Sequence, residues 1–302
     1  MVRFFLNKAF LYLFSSFVVI TITFCFLHLI PGDPFTREMT LPAEMVQSLR
    51  HHYGLDRPFF VQYLAYLGNM FSFDFGPSLS YEGRTVFSLI QEALPLSFFM
   101  GILSSIIALS LGTSLGVFFA KSGKSRRKIA LFSTLGLCIP SFVLAPFLQY
   151  LFSLKYSLFP TGRLEHWSGI VLPLCTLSFV PTFQIAKIVH FSIRSILQED
   201  YVKTARAKGL SEKSIWRDHI RRNAMIPVID YFVPLTSYLL MGSFVVERTF
   251  ALPGLGQLMV SSIESRDYGC VMGLVVVYCL VLFCVEWCAS TCKAYIDPRI
   301  QA

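Results

Sequence analysis

Residues 94–120 read LPLSFFMGILSSIIALSLGTSLGVFFA, twenty-seven positions without one Asp, Glu, Lys or Arg. An α-helix rises 1.5 Å per residue, so about 20 apolar residues cross the roughly 30 Å hydrocarbon core of a bilayer. Inside that core the backbone has no water to bond, and only a helix satisfies it within one segment. This stretch therefore predicts a membrane-spanning helix, and the rest of the chain repeats its pattern. Five further runs qualify, at 9–30, 129–153, 169–186, 224–246 and 269–292, with the fourth span of the six the shortest. The fold class expected is all-α, a polytopic transmembrane helical bundle of six spans.

Composition agrees. Of 302 residues 54% are hydrophobic and 15% charged, where a soluble domain carries about 25% charged residues. That excludes a disordered chain, a coiled coil and a secreted disulfide scaffold. The first run is longer than a signal peptide's apolar region and is followed by no small-residue cleavage pattern, so it is expected to stay as an anchor. Six crossings put both ends on one side. Eighteen of the 26 basic residues fall in the amino-terminal end, the 121–128 and 187–222 loops and the tail, which places those segments and both termini in the cytoplasm. The net charge of +8 thus reports topology and contact with the lipid bilayer, and nucleic acid is not an expected partner.

The expected organisation is a cytoplasmic end and first span over 1–30, then an extracytoplasmic region over 31–92. A core of spans two to six follows over 93–292, and a cytoplasmic tail over 293–302. Within 31–92, Pro and Gly clusters mark turns, and 45–53 and 59–71 carry apolar residues at helical spacing, which predicts short surface helices. Gly112 and Gly116 form a G-x-x-x-G step, read first as close packing within this chain and second as a subunit interface. Prolines at 140, 146, 173, 181, 227 and 234 interrupt spans three to five and predict kinks.

Between spans four and five, residues 193–222 read as helix, turn, helix. Glu199 and Asp200 stand at the positive end of a short helix and Arg206 and Lys208 at its negative end. Gly209 suits the left-handed position after the last turn. Ser211 then offers an N-cap, and Ile215, Trp216, His219 and Ile220 make the next helix amphipathic. Small alanines, a projecting Tyr201 and a closing glycine shape the first helix to seat in a groove of a partner. A basic loop lying on anionic lipid is the plainer reading.

This loop resembles the "EAA" loop of the integral-membrane subunits of binding-protein-dependent ATP-binding-cassette (ABC) importers, in particular the peptide-transport permeases. The resemblance runs through Leu29-Ile30-Pro31-Gly32-Asp33-Pro34, Tyr53-Gly54-Leu55-Asp56-Arg57-Pro58, Ile139-Pro140-Ser141-Phe142, the 199–209 run and Arg222-Asn223-Ala224. It continues in Leu252-Pro253-Gly254-Leu255-Gly256, Arg266-Asp267-Tyr268 and Asp297-Pro298-Arg299. One departure is that Lys203-Thr204-Ala205 stands where many importers have Glu-Ala-Ala. The resemblance implies the ABC type I importer permease fold in a bacterial inner (cytoplasmic) membrane, moving di- or oligopeptides inward. It implies a coupling helix, with Glu199, Asp200, Tyr201, Thr204, Ala205, Arg206, Ala207 and Gly209 engaging a cytoplasmic ATPase. The implied partners are a second homologous permease, two ABC ATPase subunits and an extracytoplasmic peptide-binding protein. ATP and Mg would be held by the ATPases and no cofactor by this chain. Relatives in this branch also carry nickel chelates or glutathione.

Asp230 in span five and Glu286 in span six are ionisable groups within membrane runs, and Glu247 stands with Arg248 at the outer end of span five. Such groups should face the bundle interior or a wet cavity, so Asp230, Glu247 and Glu286 are candidates for the translocation path; structural ion pairs or interfacial anchors are the other reading. Gly123-Lys124-Ser125 lacks the first glycine of a phosphate-binding loop, since position 118 is Phe118. Cys284, Cys288 and Cys292 share a helix face without a histidine beside them, and His51-His52 point about 100° apart in a helix, so no metal site is expected. An ion-coupled secondary transporter would call for inverted repeats and more intramembrane acids, and an intramembrane hydrolase for paired catalytic groups. No catalytic residues are assigned.

Overall fold

A computed structural model describes residues 2–29, 56–122, 133–162 and 167–296. In chain order the helices are α1 (Val2–Leu29), α2 (Phe59–Phe71) and α3 (Val86–Lys121). Next comes α4 (Ser141–Leu148), which runs into a π-helical turn over Gln149–Lys155. A 3-10 turn, Trp167–Ile170, leads into α5 (Val171–Ile196), followed by α6 (Asp200–Ala207) and α7 (Glu212–Ile215). A second π-helical turn, Trp216–Ile220, joins α7 to α8 (Arg221–Leu240). The chain continues through α9 (Phe244–Thr249), α10 (Leu255–Glu264) and α11 (Tyr268–Ile296). Among the described residues no strand forms beyond one isolated bridge between Pro77 and Thr85. The all-α class expected from the apolar runs holds.

Among the described residues four helical stretches are long and apolar enough to cross a membrane: Lys8–Leu29, Val86–Lys121, Trp167–Ile196 and Tyr268–Cys288. The two remaining expected spans are built from shorter pieces. Residues 129–132 lie outside the described set; 133–137 are helical, and the chain then breaks at Pro140, which has no N–H to give and takes an extended conformation before α4. The fifth run, expected as one helix over 224–246, ends instead at Leu240. Gly242 is left-handed (φ 82°), and Phe244–Val246 belong to α9. Hydropathy counts straight through that break because its residues are apolar. The fourth run is longer than expected, since no helix breaker follows Pro181 and α5 extends to Ile196. The short helix expected at 59–71 is α2; its counterpart at 45–53 lies outside the described residues.

The chain divides into two compact units, 1–96 with 253–302, and 97–252. In the first, α1 packs on α11. Ile20, Phe24 and Leu27 join Leu89, Ile90 and Leu274 in one core, while Phe10, Leu13, Phe14, Phe17 and Phe26 of α1 are exposed, as a lipid-facing helix demands. The α2 helix leans on α1 through a 2.7 Å hydrogen bond between the Thr21 and Tyr63 hydroxyls. It meets α11 through Tyr66, whose hydroxyl donates to the Met272 carbonyl at 3.3 Å. Asp267, wholly buried, ties the 78–80 turn to the start of α11. Its carboxylate accepts from the Ser78 hydroxyl, from the Leu79 amide at 3.1 Å and, as a helix cap, from the Cys270 amide at 3.1 Å.

In the second unit α5 packs against both α8 and α4. Gly112 and Gly116 of α3 sit against α5 so closely that a Cβ on either would lie 2.8 Å from a backbone oxygen, of Thr182 and of Ala186 respectively. The G-x-x-x-G step therefore serves packing within the chain, the first of its two readings. Ile185, Val189, Ile193, Ile215, Ile220 and Val228 form the buried centre of this unit.

Candidate functional site

The 199–222 segment is built as a knob on that centre. Glu199 is extended (φ −69°, ψ 146°) and starts α6 with no side-chain cap. At the other end Gly209 is left-handed (φ 78°), its amide donating to the Arg206 carbonyl at 2.9 Å and the Leu210 amide to the Ala205 carbonyl at 3.2 Å. These paired bonds close the last turn and turn the chain sharply. Ser211 caps α7, its hydroxyl accepting from the Ser214 amide at 3.3 Å. Both caps lie where the side chains called for them.

Burial divides the knob into two faces. Val202 and Ala205 are 0% and 4% exposed and enter the same core as Ile193, Ile196, Ile215 and Ile220. Asp200, Lys203, Thr204, Arg206 and Ala207 face outward. Ala205 thus seats the helix, and the outward positions are the ones a partner can touch. Tyr201, at 41% exposure, is also on the outside, with its hydroxyl held at one point. Its hydroxyl accepts from the Asn223 amide nitrogen at 3.2 Å, and the same nitrogen bonds the His219 carbonyl at 3.0 Å. This ties α6 directly to α8. The Tyr201–Asn223 link is invisible to a helix-by-helix reading because the residues are 22 apart; the buried Asp267 cap had a local signal, an Asp just before the apolar run of α11.

Charge adds a lock across the turn. Arg206 Nε and Nη2 reach Glu212 Oε1 and Oε2 at 2.8 and 3.3 Å, a forked pair, and the Arg206 hydrogen bond holds the Glu212 carboxyl below its usual range. Asp218 accepts from Arg217 at 2.8 Å and from the Ser214 hydroxyl at 3.0 Å, and these bonds, Arg217 first, bring its carboxyl down to about 2. Lys203 pairs with Asp200 at 2.7 Å. All these groups are solvent-exposed, so the pairs fix geometry more than they stabilise the fold.

The three candidate path acids occupy three different settings. Asp230 is exposed on α8. Glu247 is 6% exposed and accepts from the Ser97 hydroxyl at 2.9 Å. Glu286 faces α1, where the Tyr12 hydroxyl lies 3.5 Å from Oε2. A separate cavity of about 540 Å³ opens in the second unit where the interrupted spans meet, lined by Pro140, Pro181, Tyr231, Pro234, Tyr238 and Ser243 among others. The three prolines come from three different spans, and each removes a backbone hydrogen bond beside that cavity. Among the described residues no group of His, Cys, Asp and Glu is placed to hold a metal ion.

A chain of membrane-length helices carrying a short solvent-facing helix keyed into its core has the build of a multi-pass membrane protein. The sequence pattern described as "Binding-protein-dependent transport system inner membrane component" matches residues 108–302, and that of its N-terminal region matches residues 1–100. The chain belongs to this family of transporter permease subunits. It is 33% identical, over the full length of both chains, to the dipeptide transport system permease protein DppB of Lactococcus lactis subsp. cremoris. It is 35% identical to DppB of Bacillus subtilis, covering 100% of this chain and 98% of that protein. It is also 35% identical to the oligopeptide transport system permease protein OppB of Haemophilus influenzae, covering 95% of each. In fold it is similar to a chain of the MetNI methionine ABC transporter in an inward-facing conformation, with a TM-score of 0.55 and 14% identity over 69% of this chain and 96% of that one. The permease fold expected from the 199–209 resemblance is thereby established.

Proposed function

We propose that this chain is the membrane subunit of an ATP-driven importer that carries di- or oligopeptides into the cytoplasm, with α6 as the coupling helix that seats in a cleft of a cytoplasmic ABC ATPase. The carrying observation is the division of α6 into a core face, Val202 and Ala205, and an open face, Asp200, Thr204, Arg206 and Ala207. A lipid-bound basic loop has no use for a closed, capped turn and a buried seat. Tyr201 and Gly209 set the angle of the helix, and Glu199 begins it.

The mechanism follows from packing. Movement of the ATPase displaces α6, and because Val202 and Ala205 share one close-packed core with α5 and α8, those helices move with it. The cavity at Pro140, Pro181 and Pro234 is the part of this chain offered to cargo: tyrosine and serine hydroxyls and proline-freed carbonyls suit a peptide backbone without selecting its side chains. Asp230 belongs to the same path. Glu286, bonded to Tyr12, and Glu247, bonded to Ser97, act as internal anchors. The complete transporter would contain a second homologous permease, two ATPase subunits that hold ATP and Mg, and an extracytoplasmic peptide-binding protein. Both termini lie in the cytoplasm and the membrane is the bacterial inner membrane. The 33 to 35% identity to dipeptide and oligopeptide permeases supports peptide as cargo.

The test is reconstitution. Deleting 201–209 should leave the chain inserted but abolish its co-purification with the ATPase, and Asp230→Leu should slow peptide uptake while assembly persists. Uptake that survives loss of the ATPase and collapses with a protonophore would instead assign an ion-coupled carrier.

A further inference from the structure

Beside the knob, the second unit has a cavity of about 760 Å³ whose lining includes Val117, Trp216, Arg217, Asp218, Arg221 and Arg222. Val117 and Met225 give it an apolar part, and three arginines outnumber its one carboxylate. Asp218 answers Arg217, while Arg221 and Arg222 are exposed and have no acidic partner among the described residues. Lys121 adds a third cation with no acidic partner among the described residues, its ammonium 4.4 Å from the centre of the Trp216 ring, an aromatic–cation pairing suited to a membrane interface. The pocket lies between the C-terminal turns of α3, through Thr113 and Val117, and the first turn of α8, near the start of the basic loop. A site that combines apolar side chains, a tryptophan and guanidinium groups with no acidic partner among the described residues, at the end of a membrane-length helix, matches a phosphodiester attached to an acyl chain.

We propose that this pocket binds the phosphodiester of an anionic glycerophospholipid of the adjoining leaflet, with Arg221 and Arg222 as its phosphate ligands and Trp216 against the glycerol and upper acyl chain. The lipid then lies against the π-helical turn that joins the knob to α8, so its occupancy bears on the element through which α6 connects to the membrane.

The experiment uses the complete transporter in phosphatidylcholine nanodiscs, with Trp167 and Trp287 of this chain, and any partner tryptophans close to it, replaced by Phe. Trp216 is then the remaining reporter in this chain. Brominated phosphatidylglycerol or brominated phosphatidylcholine is titrated in, since bromine quenches indole emission on contact. The anionic lipid should quench at a far lower mole fraction. R221Q/R222Q should cut that preference roughly 30-fold, because each basic side chain at the leaflet contributes about 1 kcal/mol. R221K/R222K should keep most of it and shows that loss in the Gln variant is not misfolding. Equal quenching by the two lipids, or an unchanged preference in the Gln variant, overturns the proposal. So does displacement by millimolar inorganic phosphate, which would assign a free-phosphate site. Quenching that appears only when the ATPase subunits are left out overturns it as well, by assigning the surface to them.

Discussion

Replacing Gly209 with Ala isolates the geometry of the knob from its chemistry. Nothing lies within 4 Å of where the Cβ would be, yet φ is 78°. The cost is therefore conformational alone, about 1 to 2 kcal/mol for an L-residue held left-handed. That shifts the balance between the closed last turn of α6 and a frayed one by roughly tenfold. Because the open face is unchanged, apparent affinity for the ATPase subunit should weaken by up to about tenfold and ATP-driven uptake should fall with it. Gly209→Asn should recover most of the loss, since Asn tolerates this conformation at lower cost. The assay is titration of purified ATPase onto the reconstituted chain, paired with uptake in the same vesicles. Parent-like binding by the Ala variant would show that the turn does not set the coupling helix. Equal loss with Ala and Asn would show that bulk at 209, not backbone strain, is what the ATPase reads.

Other outcomes follow from the same contacts. Gly116→Val should reduce the yield and thermal stability of the chain sharply, since its Cβ would lie 2.6 Å from that of Val189 and 2.8 Å from the Ala186 oxygen, whereas Gly68→Ala, with open space around it inside α2, should keep the yield and leave the melting midpoint the same or slightly higher, since Ala suits a helix interior better than Gly by about 1 kcal/mol. Asp267→Ala leaves the Ser78 hydroxyl and the Leu79 and Cys270 amides without their acceptor and should cost about 3 kcal/mol or more, read as a lowered midpoint of unfolding. With the Asp218 carboxyl lowered from 3.8 to about 2 and that of Glu212 also lowered, both favour the folded loop above their unfolded values and lose that contribution as pH falls through the folded ones. Amide exchange over 206–218 should therefore not respond to these two groups between pH 8 and 5, and should rise only below about pH 4.

Much of this was readable from residue order, for physical reasons. Residues 94–120 announce a helix because no alternative satisfies an uncharged backbone in lipid, and Gly209 and Ser211 announce a stop and a start because few residues do those jobs. The breaks at Pro140 and Gly242 were less legible: they fall within apolar runs, where hydropathy averages over the one residue that matters. The setting of Glu247 could not be read at all, because Ser97 lies 150 positions away and a lone acid near a span end looks the same whether it faces a pathway or a serine. The same holds for Tyr201, whose exposure depends on Asn223. Sequence located the knob; only the packing told its inner face from its outer one.

Where α3 crosses α5, two missing side chains bring main chain against main chain at Gly112 and Gly116. Helices in such intimate register have no cushion of rotamers to absorb a shear, so they travel as a welded strut. Whatever flexing this half of the protein performs during a working cycle must then be concentrated at its joints, above all the left-handed step at Gly242 and the wide, underwound π-helical turn at Trp216–Ile220. Stiffening a joint should stall the machine, while stiffening the strut should leave its stroke unchanged.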